Sequence, residues 1–272
     1  MSTVNDTLET NGARIAFEVE GEGEPVVLIH AGIADLRMWD DQVAALRDSF
    51  RLIRYDTRGF GRTETEAVEF SNRADIAALL DHLGEDSAHV VGLSRGGSIA
   101  LDFALEYPDR VRSLVVAAGG VSGYDAGDEA PEGWEQVEAW TAAHDWAPVA
   151  EWETAYWADG PGQPADRVDP AVRAKVHDWI LTNYLAEKEE GNPQILDPPA
   201  AGRLGELRAP LLVMLGTLDD PGTSAAMRHL AQAVPAARLE VFEGSAHMLN
   251  LEQPDRFNAL LREFLGKAAA SG

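Results

Sequence analysis

The sequence predicts an α/β protein, a mostly parallel eight-stranded sheet with helices on both faces and a helical insertion. Three observations carry this reading. Short apolar runs rich in β-branched residues recur along the chain between turn residues, as in strands buried on both faces. Helix-like segments separate them, and a regular alternation of strand and helix builds a parallel sheet. The alternation then breaks over residues 121–205, where Gly, Pro and acidic residues are frequent and no β-rich run occurs.

The opening segment, Thr7 to Glu20, differs from the rest. Its turn pair Asn11-Gly12 between two alternating stretches predicts an antiparallel hairpin at the sheet edge. The buried strands follow at Val26 to Ile29, Leu52 to Tyr55, His89 to Val91, Leu114 to Ala118, Leu211 to Leu215 and Leu239 to Phe242. Helices are predicted over Asn72 to Leu83, with Ile76, Leu79, Leu80 and Leu83 on one face, and over Ser98 to Tyr107, Ala225 to Ala233 and Asp255 to Leu265. The chain thus divides into a core of residues 1–120 and 206–272 and a helical cap of residues 121–205, whose helical patterns run from Pro148 to Trp157 and from Pro170 to Leu185. Six of the seven tryptophans lie in that insertion. Such a concentration of aromatic surface predicts a lid that packs on the core and lines an apolar pocket.

With 46 acidic against 22 basic residues the formal charge is -24, a surface potential that repels nucleic acid and anionic headgroups. There is no cysteine, which excludes disulfides, thiolate metal sites and a cysteine nucleophile. The first ten residues carry Asp6 and Glu9 and lack a basic start and an apolar run, and no stretch approaches membrane-spanning length. A cytoplasmic protein without membrane or nucleic-acid partners, either monomer or homodimer, is expected.

The chemistry concentrates at Gly92-Leu93-Ser94-Arg95-Gly96-Gly97, between a predicted strand and a predicted helix. A G-x-S-x-G in that context is a nucleophile elbow, where small residues flank a turn that lifts the serine out of the chain. Ser94 then sits at a helix N-terminus, and the Arg95 N–H is a natural donor to a developing oxyanion. A serine hydroxyl needs a base to take its proton and an acid to orient that base, and elbows of this kind order the three as serine, acid, histidine. Of the histidines downstream, His144 and His177 lie in the insertion and His229 within a predicted helix. His247 alone follows a strand across a short loop, Glu243 to Ala246, at the carboxyl end where parallel sheets assemble their sites. For the acid, the run Leu211 to Leu215 leads into Gly216-Thr217-Leu218-Asp219-Asp220-Pro221, so two adjacent carboxylates compete, with Asp125 a third candidate after an earlier strand.

These residues resemble the α/β-hydrolase superfamily over nearly the whole chain outside the lid. His30-Ala31-Gly32 resembles the family's H-G-x segment, with Ala31 in place of glycine. Asp56 to Thr63 resembles its D-x-R-G-x-G-x-S stretch, with Thr63 in place of serine. Ala246-His247 with Glu252-Gln253-Pro254 resembles its histidine loop, with Ser245 where glycine is usual. The resemblance implies that Asp219, in the spacing G-x-x-D, is the acid, leaving Asp220 to cap the helix before Pro221. It implies a second oxyanion donor at Gly32, with Ile33 the alternative, and a loop-holding role for Asp56 and Arg58. Ile33, Trp134, Trp152, Trp157 and Met248 are the candidate substrate-binding residues.

The expected activity is serine-dependent hydrolysis of carboxylic esters of small to medium size, with no metal and no organic cofactor. The elbow and compact lid are similar to the group of 3-oxoadipate enol-lactonase and small-ester hydrolases, so an enol-lactonase is the alternative, followed by a carbon–carbon bond hydrolase, perhydrolase or lyase with the same triad. A dianionic lactone would need basic residues in the pocket, and the insertion offers only Arg167, Arg173, Lys175, Lys188 and Arg203. Serine rather than aspartate at position 94 argues against the carboxylate-nucleophile branches, dehalogenases and epoxide hydrolases. A ligand-binding receptor with a retained triad is the remote alternative.

Overall fold

The computed structural model describes residues 4–127 and 130–269. Eight strands form one sheet: β1 (Val4–Thr10), β2 (Ala13–Glu20), β3 (Glu24–Ile29), β4 (Phe50–Tyr55), β5 (Ala88–Leu93), β6 (Val111–Ala117), β7 (Leu211–Gly216) and β8 (Arg238–Phe242), in the order β1-β2-β4-β3-β5-β6-β7-β8. Two-residue Glu64–Thr65 pairs with β2 as a ninth member off this path, an addition too short to leave an apolar pattern in the sequence. The β1–β2 hairpin turns at Asn11 and Gly12, both with positive φ, and β2 meets β4 antiparallel. From β4 to β8 every pairing is parallel.

Because parallel strands need crossovers, both faces of the sheet are covered. Helices α2 (Asn72–Leu83), α3 (Arg95–Glu106) and α7 (Pro221–Ala233) pack on one face through Ile76, Leu80, Phe103 and Leu230, while α1 (Asp40–Leu46) and α8 (Pro254–Ala269) close the other through Leu46, Phe257 and Leu261. The Ser71 hydroxyl caps α2, and Gly84 ends it in the left-handed conformation. Between β6 and β7 the chain forms α4 (Trp134–Ala142), α5 (Trp146–Thr154) and α6 (Pro170–Ala186). α5 runs into a π turn, Ala155–Asp159, closed by the Gly160 N–H on the Ala155 carbonyl at 3.0 Å. Among the described residues no helix is long and apolar enough to cross a membrane.

Two helices, α1 and α4, have no counterpart in the sequence reading, and α3 begins at Arg95, three residues before the expected start. Gly96 and Gly97 are poor helix formers, yet tertiary contact demands glycine at position 96, where a Cβ would lie 2.2 Å from the Ile29 carbonyl oxygen, and backbone crowding demands it at Gly92, where one would lie 2.0 Å from the Gly96 carbonyl oxygen. The elbow is therefore a place where backbone meets backbone.

Candidate active site

Strand β5 ends at Leu93 and α3 begins at Arg95, so one residue makes the reversal. Ser94 makes it at φ 56° and ψ −124°, a conformation that costs a non-glycine residue about 1–3 kcal/mol. The surrounding packing holds it: the Ser94 N–H donates to the Ala117 carbonyl at 2.9 Å and its carbonyl accepts the Ser98 N–H at 3.1 Å. Its side chain lies at the N-terminal end of α3 and lines a cavity of about 270 Å³ together with His247, Trp157 and Ala118.

His247 comes from the loop after β8. Its Nδ1 is 2.8 Å from Asp219 Oδ1, and both side chains are buried. A carboxylate only accepts, so Nδ1 carries the proton and Nε2 keeps its lone pair. Asp219 Oδ1 also accepts the Asp220 N–H at 2.8 Å, whereas Oδ2 is buried without a hydrogen-bond partner among the described residues. An imidazolium formed beside that carboxylate would compensate its charge. Asp220, by contrast, caps α7 by accepting the Thr223 N–H at 2.8 Å, and accepts the Tyr156 hydroxyl. Asp125 lies on the segment after β6, where its carboxylate accepts the Gly127 N–H.

The loop after β3 supplies candidate oxyanion donors. Neither Gly32 nor Ile33 gives its N–H to an acceptor among the described residues, and the Arg95 N–H, first in α3, has no intrahelical acceptor. A Cβ on Gly32 would lie 3.3 Å from Arg95 Cδ, so the two segments are neighbours. His30 fixes the loop. It is fully buried, its Nδ1–H donates to the Ala31 carbonyl at 2.7 Å, and its Nε2 accepts the Thr57 N–H at 3.0 Å. Desolvation lowers its pKa to about 4.

That shift makes a pH prediction. Unfolded His30 takes up a proton near its ordinary pKa of about 6.5, while the folded protein resists until about pH 4. His30 therefore contributes stability at neutral pH that is lost as pH falls from 6.5 to 4. The shift corresponds to about 3 kcal/mol. The difference in urea unfolding free energy between wild type and His30→Gln is expected to grow by about that much from pH 4 to pH 7. A difference independent of pH would contradict it.

The stretch after β4 is held by its own side chains. Asp56 accepts the N–H groups of Leu36 and Arg62, at 2.9 and 2.8 Å, and burial pushes its pKa up to about 6. Arg58 makes two 2.8 Å hydrogen bonds to Asp75, and the Thr63 hydroxyl donates to the Asp56 carbonyl at 2.6 Å. These contacts position Phe60, over which the Arg95 guanidinium stacks at 4.9 Å while donating to Thr57 Oγ1 at 2.6 Å.

The structure distributes the predicted lining residues over three cavities and the core. Trp157, on the π turn, sits 4.5 Å from the His247 ring. Trp134 and Trp152 line an adjoining cavity of about 670 Å³ that shares Trp157 and Asp220 with the serine cavity. Ile33 faces a different cavity of about 410 Å³, between its own loop and helices α5 and α6. Met248 lines none of these; its side chain is fully buried in the core beside Phe257 and Leu261, as suits an apolar residue on the inner side of its loop.

Arg167 matters more than the sequence reading allowed. From the insertion it donates to the carbonyls of Ala158 and Gly244, each at 2.7 Å, and to Glu252 at 2.6 Å. Glu252 in turn accepts the Ala246 N–H at 2.9 Å. One side chain thus ties the turn that carries Trp157 to the loop that carries His247. Its loop partners lie 77 and 85 residues further along the chain, so no local pattern marks it.

This arrangement fits a family. The model for the alpha/beta hydrolase fold matches residues 24–254, and the chain belongs to that family. It is 28% identical to "3-oxoadipate enol-lactonase 2" of Acinetobacter baylyi, over 93% of each chain. It is 29% identical to a "2-hydroxy-6-oxononadienedioate/2-hydroxy-6-oxononatrienedioate hydrolase" of Paraburkholderia phymatum, over 93% of this chain and 91% of the relative. Among solved structures, a thermophilic esterase from Thermogutta terrifontis superposes with a TM-score of 0.75 at 27% identity, covering 98% of this chain and 99% of its own.

Proposed function

We propose that this protein is a cytoplasmic serine esterase acting on small to medium carboxylic esters through an acyl-enzyme on Ser94. The observation that carries the reading is the shared cavity of Ser94 and His247, with the His247 imidazole held by Asp219 at 2.8 Å. His247 Nε2 takes the Ser94 proton as Oγ attacks the ester carbonyl. Asp219 holds the tautomer and offsets the imidazolium charge. The N–H groups of Arg95 and of Gly32, or Ile33 in its place, receive the oxyanion. His247 then returns the proton to the leaving alcohol, and water repeats the sequence in reverse to free the acid. No step calls for a metal or organic cofactor.

The fate of the basic residues favours an ester over a dicarboxylate lactone. Arg173 is bound to Asp159 and Glu151, Arg203 to Glu206, and Lys188 to the Gly61 and Thr63 carbonyls. Lys175 lies over Trp179, and Arg167 is spent on the histidine loop. Enol-lactone hydrolysis is the second reading, supported by the enol-lactonase relative.

A p-nitrophenyl ester series of increasing acyl length tests this. Sustained turnover is expected, with kcat/KM rising about fourfold per methylene from acetate to about hexanoate and falling once the chain outgrows the cavity. Turnover no faster than the background rate across the series would remove the esterase reading.

A further inference from the structure

The cavity of about 410 Å³ between the lid and the loop of Gly32 and Ile33 differs in kind from the aromatic space around Trp157. Glu153 of α5 lines it, although that residue is only 9% exposed. Among the described residues its one hydrogen bond is from the Tyr184 hydroxyl, 2.6 Å from Oε1, and no cationic side chain comes within ion-pair distance. A buried carboxylate without a cation is costly, and burial pushes its pKa up. Around it stand aromatic faces: Trp146 and Tyr184 stack with centroids 5.0 Å apart, and Phe60 lines the opposite, core side.

The charged groups near this cavity are engaged elsewhere and leave Glu153 without a counter-ion among the described residues. His144 is bound to Glu187 at 2.7 Å, Lys188 donates to two backbone carbonyls, and Arg95 is turned onto Phe60 and Thr57. Glu187 and Glu190 add negative charge at the margin. A carboxylate at the bottom of a partly aromatic cavity is the chemistry that recognises an organic ammonium ion. The formal charge of -24 would draw such a cation towards the protein and repel a dianion.

We propose that the cavity formed by Glu153, Trp146, Tyr184 and Phe60 is a subsite for an alkylammonium group, so that the preferred substrates are esters carrying an amino or quaternary ammonium group. The proposal deepens the esterase reading and rests on it for the reaction. The binding itself does not require turnover. The carbonyl reacts at Ser94, and Gly32, which lines the ammonium cavity, neighbours Arg95, which lines the serine cavity, so the two spaces adjoin at that loop.

The test compares choline with its neutral isostere 3,3-dimethylbutanol as ligands of the wild-type protein, followed by tryptophan fluorescence and calorimetry. Choline is expected to bind at least tenfold more tightly, and Glu153→Gln to bring the two to within about threefold of each other. Should Glu153→Gln fail to fold, Trp146→Ala, on the half-buried wall, is expected to reduce choline affinity about tenfold and leave the isostere's less affected. Equal binding of the two ligands by wild type, or a preference for the neutral one, would overturn the proposal. In kinetics, wild type is expected to hydrolyse butyrylcholine with at least tenfold higher kcat/KM than 3,3-dimethylbutyl butyrate. If no ester is hydrolysed yet choline still binds selectively, the esterase reading falls while the ammonium subsite stands.

Discussion

Replacing Ser94 with alanine is expected to lower kcat for p-nitrophenyl esters on the order of 10⁶-fold, with the fold intact. The size follows from what the substitution removes. Without Oγ there is no acyl-enzyme, and the residual rate reflects only what the oxyanion donors and substrate binding give a water attack, about 10³–10⁴ above the uncatalysed reaction. The variant is also expected to match wild type in stability, because Ser94 is half-buried at the cavity wall and alanine carries the same backbone strain at φ 56°. Hydrolysis rates with purified Ser94→Ala, beside urea unfolding of both proteins, check the two halves. A variant retaining a tenth of wild-type turnover would remove Ser94 from the chemistry.

The second large effect separates two neighbouring carboxylates. Asp219→Asn is expected to reduce kcat about 10⁴-fold, because an amide can donate to Nδ1 and so favour the wrong tautomer of His247. Asp220→Ala is expected to change kcat less than tenfold and to cost about 1 kcal/mol of stability, the loss of the α7 cap. The geometry behind this contrast is plain. Asp219 is 2.8 Å from His247 Nδ1, whereas Asp220 accepts from the Thr223 N–H and the Tyr156 hydroxyl. Rates and melting temperatures of the two variants decide it, and a reversal of the pattern would assign the histidine's partner to Asp220.

What the sequence made legible follows from how local each signal is. The elbow could be read because strand, glycine, serine and helix lie within a dozen residues, and α2 because Ser71, its apolar face and Gly84 mark both ends in one window. The N-terminal hairpin was legible through Asn11-Gly12, since two positive φ values restrict the residues that fit. Other features depend on distant partners. Gly96 looks like a helix breaker until the end of β3 is packed against it. The π turn that brings Trp157 beside His247 has no periodicity of its own, and Arg167 shows its purpose only when the lid lies against the histidine loop. Glu153 carries no local signal among the many acidic residues of its segment. Only the packing of α5 on α6 buries it beside Tyr184. Met248 shows the opposite error: its place next to the base suggested a pocket residue, but the loop turns its side chain inward.

A covalent bond to Ser94 is the most direct test of the proposed chemistry. Wild type and Ser94→Ala are incubated with a fluorophosphonate, and intact mass is followed by peptide mapping. One phosphonyl group per wild-type chain is expected, on the peptide containing Ser94, formed in step with loss of esterase activity, and none on Ser94→Ala. An adduct on the alanine variant, or a wild-type protein that stays unmodified while still hydrolysing esters, would contradict it.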